Sequence, residues 1–312
     1  EIYNVVFEIV GDPNNKGTIW AGTDDGRLHL TRDDGASWQE ITPPGMPQYG
    51  TVNKIDLSAH QPGRALVAVQ KYRFDDFAPY VFLTDDYGKS WKRLTTGTNG
   101  IPADYPVRVA REDPDRRGLL YAGTEFGLFV SFDEGAHWQA MQGDLPITPI
   151  TDLRVHQKDL VLSTQGRSFW ILDDVTPLHE LDADLAEKEI HLFRPRPAYK
   201  VNDGGAGELS DTAPPARPSG ALIHYALPDT AAHELRVEII DREARVVRVF
   251  SSDTTLAKEH KTTVLKPGKG LNRLTWDLTY EGPTFVDDAI IWGYTGGVKA
   301  PPGTYDVRLT YG

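Results

Sequence analysis

Acidic, basic and aromatic side chains stand together at several predicted turns in the N-terminal half of the chain. Asp24 and Asp25 occupy one turn, Glu125 and Phe126 another, and residues 72–79 carry an arginine, two phenylalanines and two aspartates. Two suitably spaced carboxylates can act on a glycosidic bond as acid and base, or as acid and nucleophile. Aromatic rings can stack on a sugar, and arginine can pair with a carboxylated ligand. The candidate catalytic residues are Asp75, Asp76 and Glu125, and the candidate ligand-binding residues are Asp24, Asp25, Arg73, Phe74, Phe77, Phe126 and Arg167.

A purely structural role is the alternative for some of these residues. Aspartate in a turn usually accepts hydrogen bonds from its own backbone, so Asp24, Asp25 and Glu125 can be explained as turn residues. The segment 72–79 is harder to explain in that way, because its predicted loop is longer than its counterparts and exposes two phenylalanines. That composition favours contact with a ligand or a partner.

Other kinds of active site are not indicated by the sequence. The nine histidines lack the spacing of metal ligands, and neither a nucleophile elbow nor a glycine-rich phosphate loop is present. We therefore expect no metal site and no cofactor.

An eight-residue pattern, Ser/Thr-x-Asp-x-Gly-x-x-Trp, occurs three times, beginning at Thr31, Thr84 and Ser131. Its recurrence about every fifty residues is typical of propeller blades. The aspartate is expected to accept hydrogen bonds from loop amides, the glycine to adopt a positive φ, and the tryptophan to fill the seam between sheets. These residues are predicted to be structural: Asp33, Gly35, Trp38, Asp86, Gly88, Trp91, Asp133, Gly135 and Trp138.

The sequence around each pattern predicts the elements that position the candidate residues. Short β-rich runs separated by turn signals precede each copy, as in Thr18–Thr23 and Leu119–Thr124, and indicate antiparallel sheet. A fourth unit follows with a decayed pattern, in which Asp173 remains but Val175 and Leu178 replace the glycine and tryptophan. The sequence predicts an all-β chain with four four-stranded blades over residues 1–182. The candidate residues would lie at one end of these blades and the repeated aspartates at the other.

A second domain is predicted beyond a change in composition. Residues 183–219 form a strap and a linker rich in proline and glycine. Residues 220–312 contain about six alternating apolar runs, which predict an immunoglobulin-like β-sandwich.

The repeated pattern resembles the Asp-box, or bacterial neuraminidase repeat, of large bacterial propeller proteins of the sortilin and xyloglucanase type. Such proteins are often labelled glycosyl hydrolases. The ending Ala300-Pro-Pro-Gly-Thr-Tyr-Asp-Val-Arg-Leu309 resembles FlgD-like immunoglobulin modules of secreted enzymes. The resemblance implies a propeller followed by such a module. The Arg-Ile-Pro segment that brings the first arginine of a sialidase site is absent, so a sialidase is not implied.

Four blades are about half of a sialidase-like ring, so the remaining blades are expected from an N-terminal region or from a partner chain. A self-contained four-bladed propeller is the alternative. Repeat proteins of this kind need neighbours on both sides of each blade. The first predicted strand would otherwise present an open edge that is liable to association.

Composition limits the partners. With 33 basic and 45 acidic side chains the formal net charge is −12, which disfavours binding to nucleic acid. No apolar run approaches the length of a membrane span, and there is no cysteine. We expect a secreted, periplasmic or cell-surface module that recognises a glycan or a protein. The alternative is the C-terminal portion of a glycoside hydrolase with paired carboxylates.

Overall fold

A computed structural model of the chain describes residues 5–181, 190–200, 219–228, 233–284, 292 and 296–312. The chain divides into two compact units, Glu1–Val175 and Thr176–Gly312. Antiparallel sheets dominate both units, and α-helix is limited, in these ranges, to α1 (Thr176–Glu180) and α2 (Thr254–Glu259). The prediction of an all-β chain is confirmed. The described residues contain no helix long and apolar enough to cross a membrane.

The N-terminal unit contains four consecutive antiparallel sheets, and in each the strands pair in chain order. The first three sheets have four strands each, the order of a propeller blade. Their strands are β1 (Val6–Gly11), β2 (Ile19–Thr23), β3 (Leu28–Thr31), β4 (Gln39–Glu40), β5 (Thr51–Leu57), β6 (Ala65–Lys71), β7 (Asp76–Thr84), β8 (Lys92–Arg93), β9 (Val107–Glu112), β10 (Leu120–Thr124), β11 (Gly127–Ser131) and β12 (Gln139–Ala140).

The fourth sheet has three strands: β13 (Ile150–His156), β14 (Asp159–Thr164) and β15 (Phe169–Leu172). The expectation of four strands in this unit is therefore wrong for the described residues. In the other sheets the outer strand directly follows the tryptophan of the repeated eight-residue pattern. The fourth sheet lacks a complete copy of that pattern, and after Asp174 the chain enters helix α1 instead of adding an outer strand.

Apolar side chains between consecutive sheets form the core of this unit. Leu28 and Leu30 of the first sheet share one buried cluster with Val52 and Ile55 of the second. The sheets approach so closely that a Cβ on Gly22 would lie 2.3 Å from the Val52 side chain. Burial of these side chains is the main stabilising contribution that holds one sheet on the next.

Each copy of the repeated eight-residue pattern closes its own turn through its aspartate. Asp33 accepts hydrogen bonds from the Thr31 hydroxyl at 2.8 Å, the Ser37 amide at 2.9 Å and the Ser37 hydroxyl at 2.6 Å. The bonds from Ser37 and Thr31 lower the pKa of Asp33 to about 2, because they favour the ionised carboxylate. Asp86 and Asp133 make the equivalent bonds in their turns.

The tryptophans of the second and third copies reach back to the preceding sheet. The Trp91 indole N–H donates to the Ile41 carbonyl at 2.9 Å, and that of Trp138 to the Leu94 carbonyl at 3.2 Å. A buried ionic cluster adds to the second of these junctions. Arg64, which is 2% exposed, donates to Glu112 at 2.9 Å and to Asp85 at 2.6 Å.

The described residues of the C-terminal unit form two three-stranded sheets. Their strands are β16 (His191–Leu192), β17 (Ala221–Leu227), β18 (Leu235–Ile240), β19 (Val246–Ser251), β20 (Gly270–Trp276) and β21 (Asp306–Tyr311). One sheet has the order β16-β17-β20 and the other β19-β18-β21. Their inner faces share one apolar core, which includes Tyr225 and Trp276 from the first sheet and Val237 and Phe250 from the second. Two sheets around one core are what a sandwich requires, and the immunoglobulin-like assignment remains a prediction.

The segment predicted as strap and linker, residues 183–219, is only partly described. Its described residues are 190–200 and 219, and of these His191–Leu192 form strand β16 in the C-terminal unit. Most of the proline- and glycine-rich stretch lies outside the described residues.

Candidate functional site

The inner strands of the four N-terminal sheets contact one another in succession and are joined by ion pairs. The Lys54 ammonium lies 3.2 Å from Glu8 of the first sheet and 3.2 Å from Asp152 of the fourth. The Arg111 guanidinium of the third sheet binds Asp56 at 2.7 Å and Asp152 at 3.0 Å. Burial raises the pKa of Asp56, and the positive charge of Arg111 offsets part of this increase. These contacts bring all four inner strands together, so the loops at one end of the sheets can converge.

A cleft of about 280 Å³ lies among these loops. Asp24 contributes from the turn between β2 and β3, Tyr49 from the connection between the first two sheets, and Arg73 and Phe74 from the turn between β6 and β7. The structure thus brings together three of the predicted ligand-binding residues. The full lining is Asp24, Tyr49, Thr51, Gln70, Lys71, Tyr72, Arg73 and Phe74.

The turn between β6 and β7 is shorter than the loop predicted over residues 72–79. A single 3₁₀ turn, Tyr72–Phe74, is followed by Asp75 with φ 57°, whose amide donates to the Tyr72 carbonyl. Strand β7 then begins at Asp76, which pairs with Lys71, but the register shifts between this pair and Val69–Tyr80. The expected loop over residues 72–79 is therefore shortened to a turn over residues 72–75, and residues 76–79 form an irregular start of β7.

Aromatic side chains form two pairs at this end of the sheets. The rings of Tyr49 and Phe74, which both line the cleft, lie 6.0 Å apart with an interplanar angle of 31°. The ring of the partly buried Tyr105 lies 4.5 Å from that of Phe126, in the turn between β10 and β11. Phe77, on β7, is 48% exposed. Exposed aromatic rings of this kind provide flat apolar surfaces with little conformational entropy to lose on binding.

The candidate carboxylates differ in their surroundings. Asp75 is exposed at the tip of its turn. Asp76 accepts from the Tyr80 hydroxyl at 2.8 Å and from the Ala78 amide at 3.2 Å. Glu125 accepts from the Arg108 guanidinium at 2.5 Å. Of the three, Asp76 and Glu125 are therefore held by partners within the fold.

Two further candidates also have partners within the fold. Asp24 lines the cleft and accepts from the amide of Val5, which lies just before β1, at 3.0 Å. Asp25 accepts from the Thr23 hydroxyl at 2.5 Å and lies 3.4 Å from Arg27. Asp25 thus shows the contacts expected of a turn residue.

Arginines continue the cleft towards the third sheet, but Arg167 is separate from it. The Arg73 and Arg108 guanidinium carbons lie 6.0 Å and 5.8 Å from the centre of the Tyr72 ring, so this ring connects the cleft to the Arg108–Glu125 pair. Arg167 lies in the turn between β14 and β15, where its amide donates to the Thr164 hydroxyl. It is not among the residues that line the cleft.

Several lining residues were not predicted as candidates: Tyr49, Thr51, Gln70, Lys71 and Tyr72. Gln70 is notable because it is 7% exposed and its amide nitrogen donates to Asn53 at 2.9 Å. Its side-chain oxygen has no hydrogen-bond partner among the described residues. Tyr49 could have been found from the sequence, because the connection between two blades opens on the same end as the turn that holds Asp24. Gln70 and Lys71 could not have been found in this way, because they belong to strand β6 and carry no turn signal.

Comparison with known proteins does not assign a family. No family profile and no curated protein matches the chain. Similar solved structures include YCF48 bound to D1 peptide, with 18% identity over 53% of this chain and 55% of that chain and a TM-score of 0.38. Another is the GH74 xyloglucanase from Xanthomonas campestris, with 15% identity over 52% of this chain and 27% of that chain and a TM-score of 0.41.

A third is the extracellular domain of a putative one component system from B. thetaiotaomicron, with 16% identity, coverage of 54% and 21%, and a TM-score of 0.41. The chain thus spans about half the length of the first of these structures and much less of the other two. Likenesses at these values carry no functional argument, so the site is interpreted from its own geometry.

Proposed function

We propose that this chain is a propeller-type recognition module of an exported or cell-surface protein, and that it binds a glycan in the cleft lined by Tyr49 and Phe74. The cleft carries the proposal because it combines two exposed aromatic rings with the polar groups of Gln70, Lys71 and Arg73. Ligand sites commonly pair apolar surface with a few placed polar groups. A volume of about 280 Å³ suits a short saccharide better than a folded partner.

Hydroxyl-rich ligands match the polar wall of this cleft. The ammonium group of Lys71, which also lines the cleft, can donate hydrogen bonds to sugar hydroxyls. The exposed Arg73 can donate to ring or carboxylate oxygens. The rings of Tyr49 and Phe74 offer apolar faces to the C–H surface of a sugar. Binding by several such groups requires no catalytic residue.

Glycoside hydrolysis is the second candidate, and the exposed Asp75 beside the cleft is the observation that favours it. Recognition is preferred because the other two candidate carboxylates, Asp76 and Glu125, are bound by Tyr80 and Arg108. A glycosidase needs two carboxyl groups that both reach the substrate. A protein partner is a further alternative, since Phe77 and Phe126 extend the exposed apolar surface beyond the cleft.

Glycan-array binding followed by calorimetry tests the proposal. Phe74→Ala should weaken the affinity for any glycan that binds by at least about tenfold, the usual effect of removing an aromatic anchor of a binding site. Leu271→Ala is the matched control, because Leu271 is also exposed but lies on β20 of the C-terminal unit.

Three outcomes contradict the proposal. Absence of glycan binding would exclude it, and so would unchanged affinity in Phe74→Ala. Turnover of a glycan by the wild type that Asp75→Asn reduces by about a hundredfold or more would establish the hydrolase alternative.

A further inference from the structure

The outer face of the first sheet exposes apolar residues that are buried in every later sheet. Val6 and Ile9 are 54% and 62% exposed. In each sheet the first strand pairs with the second, and this pairing identifies equivalent positions in the four sheets. In the first sheet Val6 lies opposite Thr23, and Ile9 lies opposite Ala21. The matched residues are at most 1% exposed: Val52, Val107 and Ile150 for Val6, and Ile55, Ala110 and Leu153 for Ile9.

The tryptophan of the first eight-residue pattern shows the same difference. Trp138 is 4% exposed and Trp38 is 45% exposed, although both follow the same turn. The indoles of Trp91 and Trp138 donate to carbonyls of the preceding sheet, those of Ile41 and Leu94. Val6, Ile9 and Trp38 together form what is called here the leading face.

The opposite face of the fourth sheet is exposed in the complementary way. Phe169 and Ile171 on β15, called here the trailing face, are 73% and 60% exposed. Phe169 pairs with Ser163, and Ile171 pairs with Val161. The residues at matched positions of the first three sheets are at most 5% exposed: Leu28, Val81 and Leu128 for Phe169, and Leu30, Leu83 and Val130 for Ile171.

Inside the chain the two kinds of face cover each other. Leu28 and Leu30, at trailing positions, share a buried cluster with Val52 and Ile55, at leading positions of the next sheet. The second junction repeats this arrangement, with Val81 and Leu83 in one cluster with Val107 and Ala110. Within the chain, a leading face therefore packs on the trailing face of the preceding sheet. The leading face of the first sheet and the trailing face of the fourth sheet remain exposed.

We propose that two copies of this chain associate head to tail, with the leading face of each packed on the trailing face of the other. The contact is heterologous, and two such contacts related by a twofold axis close the assembly. Two sets of four sheets would give eight, which is within the range for closed propellers. Closure would also remove the exposed apolar surface at both ends of the sheet array.

A charge-pair experiment on the full chain tests this contact. Sedimentation should give twice the monomer mass of 34.7 kDa for the wild type. Ile9→Lys and Phe169→Glu should each yield monomers, because each places a charge against an apolar face. An equimolar mixture of the two variants should restore the dimer. In the mixed pair one contact is native, and the other sets lysine against glutamate.

The controls separate association from misfolding. Both substituted residues are exposed in the single chain, so circular dichroism spectra of the variants should match that of the wild type. Leu271→Lys, on the C-terminal unit, should remain dimeric. A wild type that stays monomeric, variants that associate as the wild type does, or a mixture that stays monomeric would each overturn the proposal. Oligomers that lengthen with concentration would overturn the closed pair.

Discussion

Replacement of Trp138 by alanine should destabilise the N-terminal unit much more than the same replacement of Trp38. Trp138 is 4% exposed and its indole N–H donates to the Leu94 carbonyl, whereas Trp38 is 45% exposed. A buried tryptophan removes about 150–250 Å² from water, which at about 25 cal/mol per Å² amounts to about 4–6 kcal/mol for the whole side chain. Alanine keeps a small part of that, so we expect a loss of about 3–5 kcal/mol for Trp138 and of about 2 kcal/mol for the half-exposed Trp38.

Urea unfolding followed by circular dichroism measures both losses. The protein should be kept dilute, so that association does not cover Trp38. Trp138→Phe should recover most of the loss, except about 1 kcal/mol for the hydrogen bond to Leu94. A loss below about 1 kcal/mol for Trp138→Ala, or equal losses at both positions, would refute the idea that this tryptophan joins two sheets.

Two further predictions concern charged groups. Arg64→Met should cost about 3–5 kcal/mol in unfolding free energy, because it leaves the buried Glu112 carboxylate without its cationic partner. Adding Glu112→Leu should recover part of this loss in a double-mutant cycle, and additive losses would contradict the pairing. Because Ser37 and Thr31 lower the pKa of Asp33 from 3.8 to about 2, its carboxylate favours the folded state above pH 3.8 and loses that contribution as the pH falls towards 2. Acid unfolding of Asp33→Asn should therefore depend less on pH in this window than that of the wild type, and identical acid titrations of the two proteins would refute this.

The fold could be predicted from the sequence where local chemistry determines it. The spacing of the three eight-residue patterns marks three sheets, and a polar turn precedes each pattern at a predictable position. The fourth sheet was less predictable, because the loss of glycine and tryptophan after Asp173 does not say where the chain goes next. It enters helix α1 rather than adding an outer strand.

The candidate site was only partly predictable, for a physical reason. Turn residues such as Asp24 and Phe74 can be located from the repeat, but which of them share a cleft depends on how the sheets pack. The partner of a carboxylate is equally invisible in sequence. Glu125, in the turn between β10 and β11, is bound by Arg108, which lies 17 residues earlier on strand β9. Side-chain partners of this kind decide whether a carboxylate is available to a ligand.

Exposure at the two ends of the sheet array follows the same logic. Val6 and Val52 are the same residue type at matched register positions, and their exposure differs between 54% and 0%. An apolar residue at this position can pack against another sheet, but its exposure depends on whether a neighbouring sheet is present. Phe169 and Ile171 are as apolar as the buried residues at matched positions. The chain therefore carries an apolar leading face and an apolar trailing face, and its described residues cover neither of them. The apolar pattern at the ends therefore argues for a covered surface, and the oligomeric state of the chain decides whether a second copy covers it.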